Sequence, residues 1–241
     1  MISKNEIKLI RSLNRKKYRD EVELFVVEGE KSVEEAHRSG FEVIKAFRIS
    51  EIGEEAMARI TLLSSPSPAL ALVRKPAVPD VSQIADLIAA RPLSLALDSI
   101  RDPGNLGTII RLADWFGIGT IFASEDTVDC FNPKVVQASM GSIFRVKIIY
   151  CDLLQIVSEF RTAGMPVFGT FLDGRSIYEE NLGSSGVIVM GSESNGISPA
   201  MEKLVTHRLS IPRFSPASAN APDSLNVAIA TAIICSEFRR R

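Results

Sequence analysis

Residues 186–234 read GVIVM-GSESNGIS-PAMEKLVTH-RLSIP-RFSPASANAPD-SLNVAIATAII. The order is strand, glycine-flanked loop, helix, strand, loop, helix. Residues 187–190 are a four-residue apolar run of the kind a strand buried on both faces requires. Gly191 follows at once, where a backbone must turn sharply or approach a ligand closely. Residues 209–211 make a second short strand, stopped by Pro212. Ser224 is placed to cap an apolar helix over 225–238. Ligands of open α/β sheets sit at the carboxyl ends of the strands. Glu193, Asn195, Ser224 and Asn226 lie on loops of that kind, so a site is expected there.

Outward from this stretch the same alternation continues. Strand-like runs recur at 93–97, 120–123, 143–149, 167–170, 187–190 and 208–211. Helical stretches at 106–116, 133–140, 153–163, 199–205 and 225–238 lie between them. Strands alternating with helices predict a largely parallel sheet covered on both faces. Within 98–111, DSIRDPGNLGTIIR, the tetrapeptide 102–105 reads as a turn and a helix begins near Asn105. Gly107 and Arg111 are four apart and share a helix face. A glycine one turn before an arginine clears space beside the guanidinium, while Leu106, Ile109, Ile110 and Ala113 supply the buried side.

The first 78 residues differ in character. Strands are expected at 24–27, 43–49, 59–63 and 70–73, with helices at 28–39 and 53–58, which makes a small α/β domain. Residues 79–92 form a linker helix, and 93–241 the larger domain. Residues 1–19 hold Lys4, Lys8, Arg11, Arg15, Lys16, Lys17 and Arg19 against Glu6 alone. An amphipathic helix with a basic side is expected, suited to nucleic acid. The excess of six there, against −1 for the chain, leaves about −7 for the rest.

The chain has 241 residues, of which 46% are apolar and 24% charged, as in an ordinary globular protein. Three cysteines without CxxC spacing argue for a reducing cytoplasm and against structural zinc. The segment MISKNEIKLIRSLNRKKYRD lacks the apolar core of a signal peptide. The apolar run at 228–235 is far short of the roughly 20 residues a membrane span needs. Neither His37 nor His207 falls in a motif.

Three separated motifs, NLGTIIR, VIVMGSESNGIS and LSIP followed by SLNVAIA, resemble those of the SpoU-type (TrmH-like) RNA ribose 2′-O-methyltransferases of the SPOUT superfamily. The likeness runs from about residue 93 onward, and the first domain is similar to the small RNA-binding domain many members carry. The resemblance implies a C-terminal α/β domain with a deep trefoil knot. It implies S-adenosylmethionine as cofactor, without a metal, held through Thr170, Gly191, Ile211 and Leu225. It also implies rRNA or tRNA as partner and a homodimer formed through the catalytic domain. Carried over residue by residue, Arg111 would contact the RNA and stabilise the developing alkoxide. Asn105 would fix Arg111, Glu193 would orient the polar network, and Ser224 and Asn226 would shape the site. Two rivals remain at this point: a non-catalytic RNA-binding protein of the same fold, and a base methyltransferase of the superfamily. Two departures stand out. The link at 213–223 is longer than usual and its composition suggests mobility, and Ala228 stands where Ser or Thr is common.

Overall fold

The computed structural model describes residues 2–214 and 224–240. The expected loop at 213–223 therefore lies almost wholly outside the described residues.

The N-terminal half is built on a three-stranded antiparallel sheet of β1 (Leu24–Glu28), β2 (Val43–Arg48) and β3 (Ala69–Arg74), in the order β1-β3-β2. The basic segment forms two helices rather than the single helix expected. α1 (Lys4–Ser12) opens with a capping box, in which Ser3 accepts from the Glu6 amide at 3.2 Å and Glu6 accepts from the Ser3 amide at 2.8 Å. α2 (Lys16–Val22) follows a break at 13–15, where Arg15 is extended. The break lets Leu13 and Arg19 both turn inward, and both are fully or nearly fully buried.

α3 (Glu30–Arg38) covers one face of this sheet through Val33 and Ala36. α4 (Ile49–Ile52) and α5 (Glu54–Ile60) lie toward the other face, where Met57 and Ile60 join Ile10, Leu13 and Phe47. The strand expected at 59–63 is absent. Met57 and Ile60 are three apart and both buried, so helical burial continues to Ile60. Beyond it, the Thr61 hydroxyl and the Leu62 amide donate to the buried Glu28 carboxylate at 2.6 and 2.7 Å. Burial is the larger influence on that carboxyl and raises its pKa.

After α6 (Val81–Ala89), six parallel strands run in the order β6-β5-β4-β8-β7-β9. They are β4 (Leu93–Asp98), β5 (Thr120–Ala123), β6 (Lys147–Tyr150), β7 (Val167–Ser176), β8 (Gly186–Gly191) and β9 (His207–Ser210). Alternate residues face opposite ways. Leu95, Leu97, Ile188 and Met190 meet α7 (Pro103–Trp115) and α11 (Val227–Arg240). Ala96, Phe122, Val187 and Val189 meet α9 (Leu153–Thr162) and the short α10 (Pro199–Glu202). Each such side chain contributes roughly 1.5–3 kcal/mol by leaving water. The strand expected at 143–149 is a 3-10 turn followed by β6, because Gly141 turns the chain at φ 87°. The helix expected at 199–205 is only one turn.

β4 has β5 on one side and β8 on the other, so the chain switches direction across the sheet at β4. The crevice at the carboxyl ends of β4 and β8 is the position such topology offers to a ligand. The two halves also share a core. Val136 of α8 (Pro133–Ser139) joins Phe25, Val27 and Val73 on the face of the small sheet, with Phe131 and Phe144 packed alongside. The Phe25 and Phe131 ring centroids are 4.6 Å apart. Arg19 is 2% exposed and donates twice to one oxygen of Asp129, from Nε at 3.0 Å and Nη2 at 2.5 Å, and once to the Leu13 carbonyl at 2.7 Å.

Candidate active site at the carboxyl ends of the central strands

The site begins where β4 ends. Asp98 is nearly buried and accepts from the Ser198 amide at 2.8 Å, tying the β4 end to the loop after β8. Ser99 adopts φ 65°, a left-handed conformation rare for a residue with a Cβ. Its amide donates to Ser124 Oγ at 2.9 Å, which holds the kink in place. The tetrapeptide expected as a free turn is the helix start itself. Asp102 caps α7 by accepting from the Asn105 amide at 2.8 Å, and Pro103 occupies the first turn, where its missing N–H costs nothing. Asp98 and Ser99 were not singled out by sequence. The acid closing the apolar run LSLALD was the available signal.

Past β8, residues 192–196 form a tight return in which the Ser192 and Gly196 amides and carbonyls pair at 3.0 and 2.9 Å. A Cβ on Gly191 would lie 2.1 Å from the Gly196 carbonyl carbon. Only glycine fits, because the loop's own backbone folds over it. This return presents Glu193.

Asn105 then connects the motifs. Its Nδ2 donates to Glu193 Oε1 at 2.5 Å, and its Oδ1 accepts from Asn226 Nδ2 at 2.9 Å. Asn226 Oδ1 accepts in turn from the Ala228 and Ile229 amides at 2.9 and 3.3 Å. An ionised carboxylate has only acceptors. It therefore dictates which end of the Asn105 amide faces it, and that choice propagates to Asn226. The α11 cap is thus Asn226, not Ser224: the helix starts at Val227, two residues later than expected. Ser224 is exposed and makes no hydrogen bond to a described residue. Asn195 donates through its amide to Ser192 Oγ at 3.2 Å and belongs to the return itself.

Arg111 lies on the same helix as Asn105. It is exposed and forms no hydrogen bond or ion pair with any described residue. Asn105 bonds Glu193 and Asn226 rather than fixing Arg111. Gly107 does not clear space for the guanidinium either. A Cβ there would lie 2.5 Å from Ala138 Cβ and 2.7 Å from the Val135 carbonyl oxygen, so α8 fills the notch. The glycine sets the distance between α7 and α8 and through it the position of Arg111.

Gly191 ends β8 and Ile211 directly follows β9, whereas Thr170 lies within β7, at the point where its pairing with β8 stops after Gly169; β7 lies between the other two strands and runs on to Ser176, beyond the 167–170 expected. Thr170 Oγ1 donates to the Val189 carbonyl at 3.2 Å. Leu225 is half-exposed at the entry to α11. The buried thiols of Cys130 and Cys235 are both pushed up to about 12, chiefly by burial, so they remain protonated and are not nucleophiles at neutral pH. Among the described residues no cluster of His, Cys, Asp or Glu could hold a metal ion, and no helix is long and apolar enough to cross a membrane.

A parallel α/β sheet with a polar string at its switch point defines the class. Residues 92–236 match the SpoU rRNA Methylase family, and residues 4–64 match an MRM3-like substrate binding domain. This chain belongs to the SpoU rRNA methylase family. It is 30% identical to the 23S rRNA (guanosine(2553)-2′-O)-methyltransferase RlmP of Bacillus subtilis, over 98% of this chain and 97% of that one. Its fold is similar to that of a TrmH-family protein from Porphyromonas gingivalis, with TM-score 0.84, 39% identity and coverage of 100% and 99%. It is also similar to an AdoMet-bound rRNA methyltransferase from Sinorhizobium meliloti, with TM-score 0.83, 31% identity and coverage of 100% and 96%.

The residues present suit such a cofactor. Around the ends of β8 and β9 and the α11 entry, Ile211 and Leu225 supply apolar surface and Thr170 on the neighbouring β7 a hydroxyl, while Gly191 lets the 192–196 return close tightly over the β8 end.

Proposed function

We propose that this protein transfers a methyl group from S-adenosylmethionine to a ribose 2′-hydroxyl of ribosomal RNA. The observation that carries the reading is the string Glu193–Asn105–Asn226, which joins all three motifs at the strand ends while Arg111, on the same helix as Asn105, has no ion-pair partner among the described residues. The cofactor supplies a methyl group on a sulfonium, a good leaving group. Thr170, Gly191, Ile211 and Leu225 would hold it.

The chain's own residues must align the ribose oxygen and manage its proton. A guanidinium neither gives up its proton near neutrality nor accepts another, so Arg111 grips the neighbouring phosphate and stabilises the developing alkoxide, while the hydroxyl proton leaves to solvent at this exposed site. Glu193 and Asn226 lock the Asn105 amide, and the exposed Ser224 offers a hydroxyl that bonds no described residue. The reading includes two units, 1–78 for RNA and 93–241 for catalysis, joined by α6. It includes a trefoil knot in the second, supported by β8 inserted between β4 and β7 and by α11 returning against α7. It also includes a cytoplasmic homodimer. Trp115 and Ile229, 83% and 53% exposed on the packed helices α7 and α11, supply apolar surface for that interface.

The test is transfer from methyl-labelled cofactor into 23S rRNA from cells lacking this protein, with the modified nucleotide mapped. Label on a 2′-oxygen is expected. Label on a base, or none with folded protein and bound cofactor, overturns the proposal.

A further inference from the structure

The basic N-terminal segment is less uniform in the structure than in the sequence. Arg19 is buried against Asp129, Lys16 pairs with Asp20 at 2.6 Å, and Arg11 donates to the Arg59 carbonyl at 3.1 Å. Lys4, Lys8, Arg15 and Lys17 form no ion pair with a described residue. The positive charge without an ion-pair partner among the described residues is therefore carried by the first turns of α1, at Lys4 and Lys8, and by the start of α2, at Arg15 and Lys17.

An open cleft of about 500 Å³ lies there, lined by Asn5, Lys8, Leu9, Ser12 and Tyr18. The first four are spaced i, i+3, i+4 and i+7, so they form one stripe along α1. The core is entered by Ile10 and Leu13, with Leu9 at the border packed partly against it, so Asn5, Lys8 and Ser12 are the polar members of the stripe. Tyr18 on α2 closes the cleft and is 36% exposed. The Asn5 amide and the Lys8 ammonium have no hydrogen-bond partner among the described residues, and the Ser12 hydroxyl donates to the Leu9 carbonyl at 2.6 Å, leaving its lone pairs available. The volume falls within the roughly 300–1,000 Å³ usual for small-ligand sites.

We infer that this cleft takes one unpaired nucleotide of the RNA substrate, with its base stacked on Tyr18 and its phosphate on Lys8. The inference rests on the RNA reading above. An aromatic face, an amide able to read a base edge and a lysine are the elements of single-strand recognition. Paired bases in a duplex keep their faces covered by their neighbours and cannot use the ring. Lys4, Arg15 and Lys17 continue the backbone path. Arg19, directly after Tyr18, is bolted to Asp129, so the cleft is fixed to the domain that carries Arg111.

The experiment uses the full chain, with an unstructured oligouridylate and a duplex of equal length as probes, followed by methyl-transfer kinetics on 23S rRNA. Tyr18→Ala weakens oligouridylate binding by about 5- to 150-fold and Tyr18→Phe by no more than about 2-fold, as loss of one stacked base predicts. Lys8→Ala lowers the slope of log affinity against log salt by about 0.7. Cofactor affinity and kcat at saturating RNA stay unchanged, while KM for RNA follows the binding loss. Wild-type affinity in Tyr18→Ala, or a preference for the duplex, overturns the inference. So does loss of a bound protein, rather than RNA, in Tyr18→Ala. If the wild-type protein methylates RNA but Tyr18→Ala binds normally, the cleft alone is refuted. If the wild type binds oligouridylate through Tyr18 but methylates nothing, the enzymatic proposal is.

Discussion

Asn105→Asp isolates the role of the polar string, because it exchanges a donor for an acceptor without changing shape. In the wild type Asn105 Nδ2 donates to Glu193 Oε1 at 2.5 Å. The substitution places a second carboxylate against the first. Two unit charges about 4 Å apart repel by roughly 1 kcal/mol in bulk water and roughly 4 kcal/mol at an effective dielectric of 20. The site is partly solvated, so the loss lies between these, about 5-fold to several hundred-fold in rate. Glu193→Gln alone keeps a carbonyl acceptor for Asn105 but removes its charge, so only the excess of a charge-assisted over a neutral hydrogen bond is lost, about 1 kcal/mol. In the double variant Asn105→Asp with Glu193→Gln, the amide sits at position 193 and the donor direction is reversed. The hydrogen bond returns, and the double variant should be faster than Asn105→Asp alone. Single-turnover methyl transfer of the four proteins gives the coupling directly as a double-mutant cycle. Additive losses, with all four proteins folded and binding cofactor equally, would refute the argument that Glu193 acts through Asn105.

Arg111→Ala should abolish methyl transfer and leave cofactor affinity within a few-fold; near-normal turnover would remove Arg111 from the mechanism. Gly107→Ala drives a methyl into the α8 backbone and should cost about 1–3 kcal/mol in urea unfolding, with a fall in turnover from displacement of α7. Unchanged stability would mean α8 yields freely. Asp129→Ala strands a buried guanidinium and should destabilise by about 3–5 kcal/mol, whereas an apolar pair at positions 19 and 129 should recover most of it; calorimetry reads both. Replacing Arg15 and Lys17 by Ala should reduce the salt slope of RNA binding by up to about 1.4 units, while Lys16→Ala, already paired with Asp20, should change it little.

The alternation of apolar runs was enough to place β4, β5, β8 and β9 closely, because each is short, apolar and punctuated by Gly, Pro or polar residues; β7, expected at 167–170, runs on through polar residues to Ser176. The alternation failed where burial changed the period. At 59–63, Met57 and Ile60 kept the chain helical, and at 143–149 Gly141 inserted a turn. The motifs named Asn105, Glu193 and Asn226, but their bonds join residues 88 and 121 positions apart, and no local pattern encodes who donates to whom. Ser224 reads as the cap from its type alone, whereas the geometry of the loop gives that task to Asn226. Arg19 was hidden most completely. In sequence it is one of seven positive charges, and its carboxylate partner lies 110 residues away. Gly107 was legible as a special position, but its neighbour, α8, was not.

The Arg19–Asp129 bond and the shared cluster of Phe25, Phe131 and Phe144 tie the small sheet to the large one, and a buried connection of this kind favours one body over two tethered ones. A stiff body with a contact at each end behaves as a caliper. Its jaws are the cleft at Tyr18 and the guanidinium of Arg111, and their separation is set by the fold rather than by a tether. On the proposed reading of the two contacts, an RNA is admitted by the span between an unpaired nucleotide and the target ribose in its own three-dimensional shape. Lengthening a loop in that RNA, with both nucleotides left intact, would close the gauge to it.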